Sequence, residues 1–328
     1  MSNFIAIGDI VTDAFIRLKD AATACDINNT NCTITMRFGD KIPYESAEVI
    51  HAVGNSANAA VSASRLGLNS ALLSDVGDDE NGKECLASLN ANGVDTSLVK
   101  THKGKLTNNH YVLWYESDRT ILVKHEQFPY KLPSFKTPKW LYLSSLGESS
   151  ESYHEEIYEY LRNHPEVSLA FQPGTYQINM GKEVLKNIYE RSEIFFCNIE
   201  EAEKILGIKT LGHPELLKRM YDLGPKIVVL TDGPKGSYAY NGTDILFVPP
   251  YPDPKTPLER TGAGDAFAST TVSALALGED LQSALKWGAI NAMSVVQEVG
   301  AQKGLLSRAK IEEYLTNAPK EFEIKTLT

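Results

Sequence analysis

An α/β fold built on a doubly wound, mainly parallel sheet flanked by helices is what this sequence predicts, and three observations predict it. Short β-branched or aromatic runs alternate with helical patterns along most of the chain. Several of the helical patterns close on a glycine where a helix C-terminus favours one. Two stretches, roughly residues 12–50 and 105–125, break the alternation and read as strands of a small sheet of their own.

The first candidate strand, FIAIGDIV, lies at the N-terminus. It has no basic leader, and Asp9 and Asp13 interrupt the apolar run, so it reads as a buried strand rather than a signal peptide. NSANAAVSASRLG follows as a helix, SALLSDVG as a strand and NGKECLASLNANG as a helix closed by glycine. NNHYVLWYESDRTILVKHE reads as an antiparallel hairpin turning near Glu116, Ser117 and Asp118. The alternation resumes with strands WLYLSS, VSLAFQP, EIFFCN and KIVVLTDG and helices SYHEEIYEYLRNH, GKEVLKNIYERS, IEEAEKILG and PELLKRMYDLG, before strands SYAYN and ILFVP. From Thr261 to Val299 the chain is almost wholly helical and rich in Ala, Ser and Gly, which permits close packing of helix on sheet. With no repeat, low-complexity tract or long charge run, residues 1–328 read as one compact domain with a small strand-built appendage.

Composition narrows the partners. A chain of 328 residues with a formal net charge of -10 is a poor match for nucleic acid or an anionic membrane, so a small molecule is the expected partner. No apolar run approaches the roughly 18 to 20 residues that span a bilayer. Cys25, Cys32, Cys85 and Cys197 are spread along the chain without a C-x-x-C pair. Neither a zinc site nor a disulfide framework is expected from them; reduced thiols in a cytoplasmic protein are.

The chemistry concentrates in TGAGDAF, Thr261 to Phe267, where two glycines and one acid precede a helical stretch. One reading is a plain glycine-rich turn into a helix, with Asp265 favoured by the positive end of the helix dipole. A dinucleotide fingerprint fits less well, since Phe267 stands at the third-glycine position, and no G-x-x-x-x-G-K-[ST] loop occurs anywhere. The third reading is an anion hole with its own base. Backbone N–H groups of Gly262, Ala263 and Gly264 converge on a phosphate, and Asp265 accepts the proton of a hydroxyl attacking the phosphorus.

TGAGDAF followed by an Ala-rich helix resembles the C-terminal signature of the PfkB, or ribokinase-like, family of sugar and nucleoside kinases. Residues 52–99, AVGNSANAAVSASRLGLNSALLSDVGDDENGKECLASLNANGVDTSLV, resemble its N-terminal signature, and the likeness runs over essentially the whole chain. The resemblance implies a ribokinase-like α/β fold in which the strands within 12–50 and 105–125 form a small β-sheet lid over the acceptor site. It also implies an ATP-dependent kinase of a small sugar, with Asp265 as base and Gly262, Ala263 and Gly264 as anion hole. Asn198 and Glu201 match the family's N-x-x-E motif, associated with the phosphates and, through water, with Mg2+; Asn198 with Glu201 three residues on is equally an ordinary helix cap. Thr231, Gly233 and Gly236 match the strand and turn that contact ATP, where the plain alternative is a hairpin with Asp-Gly at its turn. Asn291, Gly300 and Ala301 match positions bordering the adenine pocket.

On the acceptor side the resemblance implies Asp13, with Asp9 as its rival, together with Gly54, Asn55 and Asn58. Val53 departs from the family pattern by standing at the first glycine of Gly-Gly-x-x-x-Asn, either as a pocket wall or as a core residue. Glu259 stands where many relatives place an Asp beside a potassium ion, and Arg260 next to it brings a competing positive charge. A lid keeps water from competing with the sugar hydroxyl, and in many relatives lids pair between subunits, so a homodimer through the lid is expected. A nucleoside acceptor stacked on Tyr111, Trp114 or Tyr115 is the alternative within the enzyme class, and a catalytically inactive sugar- or nucleotide-binding regulator is the alternative outside it.

Overall fold

A computed structural model describes residues 3–19, 21–25, 32–115, 118–209 and 211–327 of the chain. The chain begins with β1 (Phe4–Ile7), then leaves the main body for β2 (Val11–Leu18), β3 (Ala22–Ala24), β4 (Thr33–Thr35) and β5 (Tyr44–Val53). It returns through α1 (Asn55–Arg65), β6 (Ser70–Gly77), α2 (Glu80–Ala91) and β7 (Val99–His102). A second excursion, β8 (Asn108–Tyr115) and β9 (Asp118–Lys124), precedes β10 (Trp140–Leu143), α3 (Glu151–Asn163), β11 (Ser168–Phe171), α4 (Thr175–Met180) and α5 (Lys186–Arg191). Next come β12 (Ser192–Asn198), α6 (Ile199–Leu206), α7 (His213–Tyr221), β13 (Val228–Thr231), β14 (Ser237–Tyr240) and β15 (Ile245–Val248). Helices α8 (Ala263–Leu277), α9 (Leu281–Val295) and α10 (Arg308–Thr316) and strand β16 (Lys325–Leu327) complete it. The GKEVLKNIYERS pattern yields a shorter helix than expected, because Gly181 at its start is the C-cap of α4.

Among the described residues ten strands form one sheet in the order β16-β15-β14-β13-β12-β11-β10-β1-β6-β7. The run from β7 to β13 is parallel, and β14, β15 and β16 extend it antiparallel. Alternation along each central strand feeds a core on either face. Phe4, Ala6, Tyr142, Ala170 and Phe196 enter the core shared with α1, α8 and α9, whereas Ile5, Ile7, Leu143, Phe171 and Phe195 enter the one shared with α3, α5, α6 and α7. Near-continuous apolar runs such as FIAI and WLYL are the sequence form of a strand covered on both faces.

The remaining strands build the expected small sheet, ordered β5-β2-β8-β9. Strands β8 and β9 form the expected hairpin, Tyr115 pairing with Asp118; the turn residues Glu116 and Ser117 lie outside the described residues. Strands β3 and β4 pair separately. Their register, ending at Ala24 opposite Thr33, sets Cys25 against Cys32, and the two are joined by a disulfide. That corrects the expectation of reduced thiols for this pair, whereas Cys85 and Cys197 are free and buried.

The carboxyl ends of the parallel strands all reach one edge, with β1 at the point where the strand order reverses, and such a crevice is where open α/β sheets hold ligands. Its floor is braced by a buried histidine. His154 Nδ1 donates to the Ser150 carbonyl at 2.7 Å, and its Nε2 accepts from Gln177 Nε2 at 2.9 Å. Gln177 also donates to the Ser144 carbonyl at 2.9 Å and accepts from Gly174 N at 2.8 Å, tying the end of β10 to α4. Burial pushes the His154 imidazole down to about 4, with the Ser150 carbonyl opposing. An imidazole neutral in the fold but protonated in the unfolded chain stabilises fully above its ordinary value of 6.5 and progressively less as pH falls toward 4. Unfolding free energy from urea titrations is therefore expected to drop by about 3 kcal/mol more in the wild type than in His154→Gln between pH 7 and pH 4; equal pH slopes in the two proteins would remove this role.

Candidate active site

A cavity of about 560 Å³ opens between the carboxyl ends of the central strands and the inner face of the small sheet. Period-two alternation decides which side chains of β9 face it: Arg119, Ile121 and Val123 line the cavity, and Leu122 between them does not. From the body come Asp9, Gly54, Asn55, Asn58, Gln172, Asn198, Glu201 and Thr231, and from the start of α8 come Gly262, Gly264 and Asp265. Residues more than two hundred positions apart thus share one space.

Asp265 lies in the first turn of α8, where the helix dipole favours a negative charge. Its Oδ2 accepts from Asn58 Nδ2 at 2.8 Å and its Oδ1 from Gln172 Nε2 at 3.1 Å. Each amide is oriented from behind. Buried Tyr142 donates its hydroxyl to Gln172 Oε1, and Gln302 Nε2 donates to Asn58 Oδ1 at 2.9 Å, so both amides present N–H to the acid. The carboxylate keeps further lone pairs for a hydroxyl proton, since two oxygens offer about four acceptor positions. Burial pushes the Asp265 carboxyl above its ordinary value; the Asn58 and Gln172 hydrogen bonds and the Arg119 charge pull it back, and the Asp13 charge adds to the rise.

The two glycines before the acid are bare for different reasons. Gly262, the N-cap of α8, has φ 79°, and a Cβ there would lie 2.3 Å from Ala301 Cβ. Gly264 is helical, and a Cβ there would meet nothing within 4 Å, so its missing side chain serves the open space of the cavity. Ahead of them, Glu259 is 4% exposed, and each of its oxygens holds a backbone N–H: Oε2 that of Thr261 at 2.7 Å, Oε1 that of Gly300 at 2.9 Å. Its carboxylate braces the loop against the Gly300–Ala301 turn, each oxygen keeping a further lone pair.

A second cavity, about 370 Å³, adjoins the first and shares Thr231, Arg260 and Gly264 with it. Gly233, Gly236, Ala263, Phe267, Met293, Val296 and a proline-rich stretch including Pro249 and Pro250 line it. Thr231 lies between the two spaces, and Gly233 and Gly236 lie along the second. Asn291 lies on neither. It is fully buried, donating to Thr270 Oγ1 at 2.6 Å and accepting from Leu306 N at 2.9 Å, and lines neither cavity. Gly300 is likewise away from both linings, and Ala301 borders the first cavity rather than the second.

The capping reading of Asn198 is met, and the residue also faces the first cavity. Its Oδ1 accepts from Glu201 N at 2.8 Å and Glu201 Oε2 accepts from Asn198 N at 2.9 Å, a complete capping box at the start of α6, and both residues also line the first cavity. Burial pushes the Glu201 carboxyl up, the Asn198 backbone hydrogen bond opposing it and the Asp265 charge adding to it. Among the described residues no group of three or more His, Cys, Asp or Glu side chains is placed to hold a metal ion. Glu201 lines the first cavity with a carboxylate of which Oε2 is held by Asn198 N.

At the far end stand Asp9 and Asp13. Tyr130 donates its hydroxyl to the Asp9 carboxylate, 2.9 and 3.0 Å from its oxygens, whereas the buried Oδ1 of Asp13 makes no hydrogen bond. Asp13 is thus the carboxylate with accepting capacity to spare. Asn58, expected on the acceptor, has committed its oxygen to Gln302 and one amide hydrogen to Asp265. Val53, 2% exposed, forms part of the cavity wall.

Residues 21–308 match the model of the pfkB family carbohydrate kinases. The ribokinase of Bacillus subtilis is 26% identical over 270 residues, covering 80% of this chain and 87% of its own. Among solved structures, Arabidopsis thaliana ribokinase complexed with ribose and ATP superposes with a TM-score of 0.80 at 17% identity, covering 96% of this chain and 98% of its own. A nucleoside kinase of Methanocaldococcus jannaschii superposes with a TM-score of 0.76 at 22% identity, with the same coverage of 96% and 98%.

The open space at Gly264 yields a direct test of the loop. Gly264→Ala is expected to keep or slightly raise the melting temperature, because alanine is the better helix residue by roughly 1 kcal/mol. Its catalytic efficiency is expected to fall at least about tenfold as the methyl group enters the cavity. Unchanged kinetics would show that nothing binds against this turn.

Proposed function

This chain belongs to the pfkB family of carbohydrate kinases and is an ATP-dependent phosphotransferase, and we propose that its acceptor is a small sugar whose hydroxyl Asp265 deprotonates. The observation that carries the reading is the doubly held Asp265 carboxylate at the mouth of a helix N-terminus left bare by Gly262 and Gly264. The base of the nucleotide occupies the second, proline-rich cavity, and its phosphates run past Thr231 and Arg260 to the backbone of Gly264, where the cavities join. Glu201, with Asn198 beside it, would hold Mg2+ through water, and that ion supplies neutralising charge to the phosphates. The sugar lies beneath the small sheet against Asp13, Gly54 and Asn55.

The acceptor oxygen attacks the γ-phosphorus, its proton passes to Asp265, and the bond from phosphorus to the bridging oxygen breaks to release ADP. The small sheet acts as a lid that excludes water from this step, and residues 1–328 work as one kinase unit. Glu259, whose oxygens each hold one backbone N–H and keep a further lone pair, would offer an oxygen to a monovalent cation. Cytoplasmic operation, where ATP is plentiful, belongs to the same reading.

A sugar is preferred to a nucleoside because the aromatic residues expected to stack on a base are not in the cavity. Tyr111 is 52% exposed, and Trp114 packs beneath the Arg17 guanidinium, 4.8 Å from ring to charge. An inactive regulator is disfavoured by the intact base and its two amide supports. The outer face of the lid exposes Tyr44, Val49, Tyr111 and Leu122, an apolar surface suited to a second copy of the chain.

Asp265→Asn is expected to lower kcat by roughly two to four orders of magnitude while leaving ATP affinity within about threefold. The acid limb of kcat/KM in the wild type is expected above the ordinary carboxylate range, as burial of Asp265 requires. Turnover near normal in the variant, or no ATP consumption by the wild type with any of a panel of sugars, would sink the assignment. Sedimentation at micromolar concentration is expected to give a species about twice the 36.1 kDa chain mass, and a monomer alone would dismiss lid pairing.

A further inference from the structure

We propose that His110 and His125 form a proton-sharing latch across the lid hairpin that holds Asp13 ready for the acceptor, a role that deepens the sugar-kinase reading and rests on it for the identity of that acceptor. The pair follows from register. His110 on β8 lies opposite Val123 on β9, and His125, two residues further along, returns to the same face. The rings lie with centroids 5.1 Å apart, and their Nε2 atoms share a hydrogen bond of 3.2 Å. His110 Nδ1 stands 3.4 Å from Asp13 Oδ1, and His125 Nδ1 stands 3.3 Å from Asp9 Oδ2. The four groups lie in the order carboxylate, imidazole, imidazole, carboxylate, the inner link a hydrogen bond and the two outer ones ion-pair contacts, with Asp13 Oδ1 and His125 Nδ1 otherwise unpartnered.

Counting protons along that line constrains it. Each Nδ1 faces a carboxylate oxygen and is a poor place for a lone pair, so both carry hydrogen. The two facing Nε2 atoms need one further hydrogen between them. Three protons on two rings put one positive charge between two negative ones, in a place where the four side chains are 3 to 14% exposed and solvent screens little. Were the His110 ring to turn away, Asp13 would lose its nearest cationic partner, whereas Asp9 would keep Tyr130.

The two ends of the line differ. Asp9 is anchored to the body by Tyr130, whose hydroxyl accepts from Gly147 N at 3.0 Å, and the Tyr176 ring meets His125 edge-on at 5.5 Å. Asp13 rides on β2 in the lid, and its Oδ1 is buried without a hydrogen bond. The latch therefore transmits the fixed position of Asp9 to the carboxylate that has capacity for acceptor hydroxyls. Arg119, Ile121 and Val123 complete this wall, so His110 and His125 supply its polar part along with one charge. His110 and His125 are positioning residues, acting through Asp13, and the chemistry at Asp265 stands apart from them.

The test pairs kinetics with spectroscopy. With a sugar that the wild type turns over, His110→Gln and His125→Gln are expected to raise acceptor KM about tenfold or more, the effect of releasing Asp13 from the ion-pair contact that positions it. The kcat at saturating sugar and the KM for ATP are expected to stay within about threefold. Gln, which can still both donate and accept at the Nε2 position, is expected to do better than Phe at the same site. Imidazole 15N–1H spectra of the unliganded wild type are expected to contain one low-field proton coupled to both Nε2 nuclei, absent from either variant. Unchanged acceptor KM in the Phe variants, or two independent ring tautomers in the wild-type spectrum, overturns the latch. If the wild type phosphorylates no sugar, the functional reading fails, and the spectrum alone still decides whether the proton is shared.

Discussion

The central constraint on this molecule is electrostatic: a carboxylate has to stay ionised beside a loop shaped for phosphate. At a separation of 4 Å two unit charges of like sign repel by roughly 4 kcal/mol at the effective dielectric of a protein near its surface. Asp265 meets this with two amide donors and a helix dipole, and with the Arg119 charge across the cavity. Those donors are reliable because their orientation is not free. A hydroxyl from Tyr142 fixes one amide and a second amide from Gln302 fixes the other. The order of the sheet is what permits it, since Tyr142 lies on β10 and Gln172 directly follows the adjacent parallel strand β11.

The helices carry the same requirement one layer back. Asn58 sits on α1, and α1 is held to α8 by a hydrogen bond between the Ser62 and Thr270 hydroxyls at 3.2 Å. Thr270 is in turn the acceptor of Asn291 on α9. Asn291 therefore matters to the site through packing, as the polar pin of three Ala-rich helices that approach closely, and not as a wall of the nucleotide cavity. Glu259 has a comparable place. Its two hydrogen bonds lock the loop whose next turn, at Gly262, fits against Ala301 with no room for a side chain.

Much of this was legible in the sequence where information is local. Apolar runs of four to eight residues marked the buried strands, TGAGDAF marked the bare loop with its acid, and the hairpin of β8 and β9 followed from its own pattern. What escaped were features created by register and long-range pairing. Gln172 is a polar residue ending an apolar strand, VSLAFQP, a signal that could have been used; Gln302, His110 and His125 carry none until the strands are aligned. Cys25 and Cys32, seven apart, become partners only through the pairing of β3 with β4. Short elements such as β7, α4 and β16 have too few residues for any periodicity to declare itself.

The two cavities divide recognition by chemistry. The second cavity is proline-rich and apolar, suited to a flat ring that needs shape more than hydrogen bonds. The first is set with carboxylates, imidazoles and the guanidinium groups of Arg119 and Arg260, suited to hydroxyls and phosphate. Between them the base belongs to neither, and its readiness is shared. Arg119 lies on β9, the edge strand of the small sheet, so part of the charge that keeps Asp265 ionised arrives with that sheet. The small sheet thus supplies a charge that opposes the effect of burial on the Asp265 carboxyl.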